Sequence, residues 1–204
     1  MFDYSHLESK ALVCYLLQHV NLTEEEILLI DALFEKRRFK KKVQIYKEGD
    51  IHRHNCFVVN GSLRLFYIDD RFKEHNVQFA FENWWIGDLG SFIKNEPSKM
   101  YLETLENTIV LQTTLEQQEE LLDSIPVLNS LFRKKYRAAL VSAQEKMLHG
   151  ISRDAKTRYM EFLKLYPTFC TRLPDHHIAS YIGVTPEFFS RMKREVIRQN
   201  LNLD

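Results

Sequence analysis

The stretch IASYIGVTPEFFSRMKREVIRQ, residues 178–199, decides how the chain is read. Two short apolar phrases are split by Gly183 and followed by alternating arginine and lysine. Ile178, Ala179 and Ile182 make the inner face of a first helix, and Gly183 offers the positive φ that ends it sharply. Thr185 is an N-cap, Pro186 stands where its missing N–H costs nothing, and Glu187 favours the helix dipole. Phe189, Met192 and Val196 then face inward, which leaves Pro186, Glu187, Ser190, Arg191 and Arg194 outward along one side. Two helices joined by a short glycine-containing turn predict a helix-turn-helix, with the second helix presenting that side to a major groove. Arginine grips guanine O6/N7 or a phosphate, and glutamate accepts from a cytosine amino group. A helical hairpin that only fills space needs the apolar residues and leaves the basic ones unexplained.

Composition agrees with a folded carrier for that segment. The chain has 204 residues, 45% hydrophobic and 12% aromatic, enough to bury a full core and too apolar for disorder. Apolar runs such as FVV and LLI fall far short of a membrane span, and the N-terminus lacks a secretory apolar region. Cys14, Cys56 and Cys170 form neither a CxxC metal site nor an even disulfide set, so reduced thiols and a cytoplasmic location are expected. The formal net charge of zero conceals a division. Residues 1–132 carry 14 Lys/Arg against 21 Asp/Glu, and residues 133–204 carry 14 against 7. A basic segment on an acidic body suits a polyanionic partner, against the plainer alternative that charges cluster by helix face.

Periodicity switches twice. Residues 1–38 read as helical, with a Thr23/Glu26 capping box opening EEEILLIDALFEKR. From about Val43 to Thr113 the pattern is short and alternating. Phe57–Val59 and Leu63–Ile68 flank Asn60-Gly61, a pair that favours a two-residue hairpin turn. VQFAF puts Val77, Phe79 and Phe81 on one face, TIVLQT supplies another strand, and one of Trp84 and Trp85 is expected in the core. Such strands predict a small sandwich or barrel. Helix then returns: Thr114 caps LEQQEELLDSI, Pro126 opens a segment to about His149, and a third helix runs from about Asp154 to Leu165.

The long segment carries Phe132, Tyr136, Ala139, Leu140, Ala143 and Met147 at spacings of three and four. A rod of about 22 residues spans ~33 Å, longer than a small barrel covers. Self-association into a homodimer is therefore favoured over packing on the chain's own barrel.

This order of parts resembles the CRP–FNR (cyclic AMP receptor-like) transcription regulators, over nearly the whole chain. The resemblance rests on YKEGD (46–50), VVNGSLRLF (58–66), WWIGDLGSF (84–92) and IASYIGVTPEFFSRMKR (178–194), and is nearest to short Crp-like regulators whose roll contains FENWWIGDL. It implies an α+β fold: a double-stranded β-helix (jelly-roll, cyclic nucleotide-binding-like) domain with N-terminal helices at 1–125, a long dimerisation helix at 126–150, and a C-terminal helix-turn-helix domain at 151–204. It also implies double-stranded DNA and RNA polymerase as partners and no membrane. His176 would touch phosphate beside the reading residues; His176 and His177 both read as surface residues. Ten residues follow Arg194, fewer than the family's β-hairpin wing needs, so fewer flanking phosphate contacts and a more salt-tolerant complex are expected.

The family's ligand cassette is Gly-Glu-Leu, a turn, then arginine and a small residue, with glutamate on the ribose and arginine on the cyclic phosphate. Gly87-Asp88-Leu89 matches in kind with a shorter carboxylate, and Ser98 stands where the arginine belongs, with Lys99 adjacent. The purine-contacting pair of the family falls on Ala143-Gln144. Losing a bidentate guanidinium for phosphate is not conservative, so ordinary cyclic AMP is not expected. The pocket binds another small-molecule effector through Asp88 and Lys99, or is vestigial. No cofactor is assigned: an iron–sulfur cluster needs more cysteines, and nothing singles out one of the eight histidines for haem.

Two rivals remain. His52-x-His54 on a strand would put both imidazoles on one face, as in cupin metal enzymes, but Val58 and Val59 occupy the carboxylate position and a third histidine is missing from SFIKNEPSKM. Exposed loop histidines are the expectation. No nucleophile–base pair, phosphate loop or dinucleotide fingerprint appears, so an enzyme is not expected. The other rival is a small-molecule (cyclic nucleotide) sensing module acting through protein partners; the intact arginine face argues against it.

Overall fold

The computed structural model describes residues 4–201. Two four-stranded antiparallel sheets form the jelly roll. One pairs β1 (Glu35–Phe39), β8 (Thr108–Thr113), β3 (Asn55–Asn60) and β6 (Trp85–Ile86) in that order. The other pairs β2 (Gln44–Tyr46), β7 (Tyr101–Thr104), β4 (Leu63–Ile68) and β5 (Glu74–Ala80).

Alternation along the strands sets the layers. Cys56 and Val58 of β3 and Val110 of β8 join Leu63, Leu65, Ala80, Ile86 and Leu102 in one core. Their neighbours Phe57 and Leu111 point the other way, as a period of two requires. They meet a helical layer built from Leu12, Val13 and Leu16 of α1 (Lys10–Leu17), Ile27 and Ile30 of α2 (Glu24–Ala32), and Leu121 of α4 (Leu115–Ser124). Thr23 and Thr114 cap α2 and α4 as expected, each in a capping box. Trp85 packs on Phe34, Phe57 and Phe132, while Trp84 packs on the inner core, so each tryptophan serves a different layer.

Two sequence expectations change. EKRRF is the edge strand β1, not the end of a helix: Glu35 to Phe39 pair residue for residue with Gln112 to Thr108. A charged segment reads as helix locally, but the open side of β8 supplies its hydrogen bonds, and charge suits a sheet edge. Asn60-Gly61 is not a hairpin turn either, because β3 and β4 belong to different sheets. It is the step between them. Gly61 has φ +95°, and a Cβ there would meet the Asn107 carbonyl oxygen at 2.7 Å. The true hairpin is β4–β5, closed by Asp69, whose Oδ1 accepts from the Arg71 and Lys73 amides.

α3 (Leu89–Lys94) lies between β6 and β7. α5 (Pro126–Ser152) is 27 residues long, and α6 (Ala155–Leu165), α7 (Asp175–Ile182) and α8 (Pro186–Leu201) follow. By packing, the described residues up to 67 and 78–137 form one unit, and residues 68–77 with the described residues from 138 onward form another. The expectation about a wing falls on residues 195–201, which continue α8, and on 202–204, which lie outside the described residues.

Candidate nucleic-acid interface and ligand pocket

In the second unit the head is held by aromatic packing. Tyr159 meets Phe189 edge-on at 5.1 Å, and Phe162 meets Tyr166 at 4.9 Å and Tyr181 at 5.3 Å. Ile178, Ala179, Ile182, Phe189, Met192 and Val196 are buried, the inner faces read from the sequence. Gly183 ends α7 at φ +75° in the left-handed region. Thr185 Oγ1 accepts from the Phe188 amide at 3.3 Å and caps α8.

The other side of α8 is open. Pro186, Glu187, Ser190, Arg191 and Arg194 are all exposed, as are Thr185 and His176. The Glu187 carboxyl is held below its ordinary range, first by its own backbone N–H and then by Thr185, so it is an anion at neutral pH. Arg194 Nε donates to the Ser190 carbonyl at 3.2 Å, laying the guanidinium along the helix. Lys193 pairs with Asp175 at 2.7 Å and ties α8 to α7. His177 differs from expectation. It is buried, and its carbonyl accepts from Asn76 Nδ2 at 3.1 Å. The hairpin tip explains this: Asn76 N donates to Ser180 Oγ at 3.0 Å, and Ser180 Oγ donates to the Glu74 carbonyl at 2.6 Å. Contacts across a hundred residues leave no local signal.

In the first unit, Asp88 is the N-cap of α3, its Oδ1 accepting from the Gly90 and Ser91 amides. Its other oxygen accepts from Ser98 Oγ at 2.6 Å, and Ser98 Oγ also accepts from the Met100 amide at 2.8 Å. Gly87 is buried beside Asn55, with Leu89 exposed. Gly87, Asp88 and Ser98 thus come together, while Lys99 beside them is exposed. Ala143 and Gln144 lie exposed on α5 in the second unit.

His52 also differs from expectation. It is fully buried rather than an exposed loop residue: its ring stacks on Tyr46 at 4.5 Å, and its Nδ1 accepts from the Asp88 amide at 3.4 Å. Burial lowers its pKa against the pull of Asp88, so the ring is neutral. His54 is half-buried and accepts from the Tyr46 hydroxyl, whose pKa burial pushes up to about 12. Among the described residues no cluster of three metal-binding side chains occurs. Nor is any helix there long and apolar enough to cross a membrane. The alternation of His52 and His54 with aromatic Tyr46 nearby was the available signal, and it pointed inward.

With this geometry in hand, comparisons locate the fold. Residues 36–124 match the family model described as cyclic nucleotide-binding domain. No curated relative matches the chain in sequence. Among solved structures, the chain is similar to the c-di-GMP-responsive global regulator CLP of Xanthomonas campestris, with a TM-score of 0.70 and 16% identity over 88% of this chain and 94% of that one. FixK2 from Bradyrhizobium japonicum gives 0.69 and 18% over 82% and 86%. A CooA variant from Carboxydothermus hydrogenoformans gives 0.69 and 16% over 98% and 87%. The roll is a cyclic nucleotide-binding-type domain, and the chain has the CRP–FNR fold.

Proposed function

We propose that this chain is a homodimeric, sequence-specific DNA-binding transcription regulator of CRP–FNR type whose roll does not take ordinary cyclic AMP. The observation that carries it is the open face of α8. Glu187, Ser190, Arg191 and Arg194 are exposed together while Phe189, Met192 and Val196 hold the helix from behind. Packing has no use for the arginines, and base edges do.

A dimer supplies two such faces. On α5, Leu140, Gln144, Met147 and Ile151 recur at spacings of four, three and four, flanked by Val141 and Leu148. Leu140, Met147 and Ile151 are 61%, 67% and 81% exposed. Apolar side chains at this spacing are the seam of a two-stranded coiled coil. Paired heads then read half-sites about one helical turn apart. RNA polymerase is the partner that the family likeness implies.

The pocket reading follows from Asp88 and Ser98. A cyclic phosphate needs a guanidinium, and this roll offers a neutral hydroxyl already bonded to the carboxylate. The buried His52 ring, stacked on Tyr46, takes the Asp88 amide proton, so the backbone at Asp88 is engaged as well.

Fluorescence anisotropy with pooled genomic duplexes tests the main reading. Retention that survives excess nonspecific DNA and falls in the Arg191→Ala, Arg194→Ala double variant supports it. Equal retention by both proteins counts against it.

A further inference from the structure

A cleft of about 350 Å³ opens within the second unit, where α5 faces α6 and α7. Its walls include Ser142, Lys146, His149, Glu161, Phe162 and Tyr181. None of these residues belongs to the α8 face or to the roll pocket. The size falls in the range of small-molecule sites. We propose that this cleft binds a small aromatic carboxylate, its ring against Phe162 and Tyr181 and its carboxylate on Lys146 Nζ.

The charges select that chemistry. Lys146 Nζ donates to the Val77 carbonyl at 2.6 Å and stands 3.6 Å over the Tyr181 ring. Among the described residues no carboxylate pairs with it. A largely desolvated ammonium without a counter-ion gains most from an anion. Three other charged side chains on the walls are already engaged. His149 Nδ1 pairs with Glu161 Oε2 at 2.6 Å. The Arg158 guanidinium donates to the carbonyls of Ile182 and Arg153 at 2.8 and 2.7 Å. Lys164 and Glu145 stand exposed to solvent at the edge, so among the described residues of the walls Lys146 is the half-buried charge without a counter-ion, and it stands beside an aromatic wall.

The position on α5 makes the site compatible with a dimer. Ser142, Glu145, Lys146 and His149 share one face of the helix, and at ~100° per residue Leu140, Gln144, Met147 and Ile151 lie roughly half a turn away. An occupant therefore sits against α6 and α7 without entering the seam. Its carboxylate would share Lys146 with the Val77 carbonyl at the base of the hairpin tip.

The test is isothermal titration calorimetry of the full chain with 1-naphthoate and its neutral counterpart 1-naphthamide. The expected result is one saturable naphthoate site per chain, with the amide at least about tenfold weaker. Lys146→Met should weaken naphthoate to the level of the amide, and Ser142→Trp, which fills the rim, should abolish binding of both. Absence of saturable naphthoate binding, equal binding of acid and amide, or full binding by the Ser142→Trp variant would overturn the proposal. If Lys146→Met does not fold, as judged by its circular-dichroism melt, the acid–amide comparison and Ser142→Trp decide. The titration reads ligand and not DNA, so its failure leaves the α8 reading standing.

Discussion

Ser98 Oγ donates to Asp88 Oδ2 at 2.6 Å, so the two side chains satisfy each other. The bond braces α3 against the segment leading to β7, at the position where the family likeness places a guanidinium. Asp88→Ala removes this bond and the cap on two amides, and should cost about 1–2 kcal/mol in urea melts. Calorimetry of the parent protein with cyclic AMP should show no micromolar binding. Micromolar binding would require the brace to open and would refute the pocket reading.

Gly61 and Gly183 both have positive φ, but their surroundings differ. At Gly61 a Cβ would meet the Asn107 carbonyl oxygen and Thr108 Oγ1 at 2.7 Å, whereas nothing lies within 4 Å at Gly183. Gly61→Ala should therefore destabilise the chain by about 3 kcal/mol or more, and Gly183→Ala by ~1 kcal/mol from backbone strain alone. Thermal melts of the two variants separate the effects.

Lys146 carries a pH dependence. Burial pushes its pKa down to about 8 from an ordinary value near 10.5. Between those values the unfolded chain holds the proton that the folded chain has released, so the lysine's contribution to stability rises with pH across this window. Below about pH 8 both states are protonated and the desolvation cost is fully present. Relative to Lys146→Met, the parent protein should gain about 1–3 kcal/mol between pH 8 and 10.5. Denaturant titrations at several pH values read this difference.

The seam on α5 predicts an assembly state. Met147→Glu with Ile151→Glu places four carboxylates in a dimer's apolar contact and none in the core of a single chain, since both side chains are mostly exposed. Sedimentation should give a dimer for the parent and a folded monomer for the double variant. A parent that sediments as a monomer would remove the paired heads from the account.

Much of this was legible where the signal is local. Gly183, Thr185 and Pro186 punctuate the turn between α7 and α8, and the capping residues Thr23 and Thr114 mark helix starts, because each acts on its own few neighbours. Lys36 and Arg37 became a strand because β8, more than seventy residues away, offered an open edge. His177 was buried by Asn76, a hundred residues distant. For His52 the alternation with His54 near Tyr46 hints at an inward ring, but its bond to the Asp88 amide, 36 residues on, has no local signal. Asp88 and Ser98 could be placed from the family likeness, but that they would bond to each other could not. Neither the charge division nor the stripe on α5 revealed that Lys146 is drawn inward between Val77 and Tyr181.

The central claim is that the exposed side of α8 reads duplex bases. Selection of bound fragments from a random duplex pool tests it most directly. The account predicts enrichment of a two-part element whose halves lie about one helical turn apart, with relaxed preference and ~1–3 kcal/mol weaker binding for Arg191→Ala. A pool that remains unenriched after repeated rounds, or an element that Arg191→Ala selects unchanged, would contradict it.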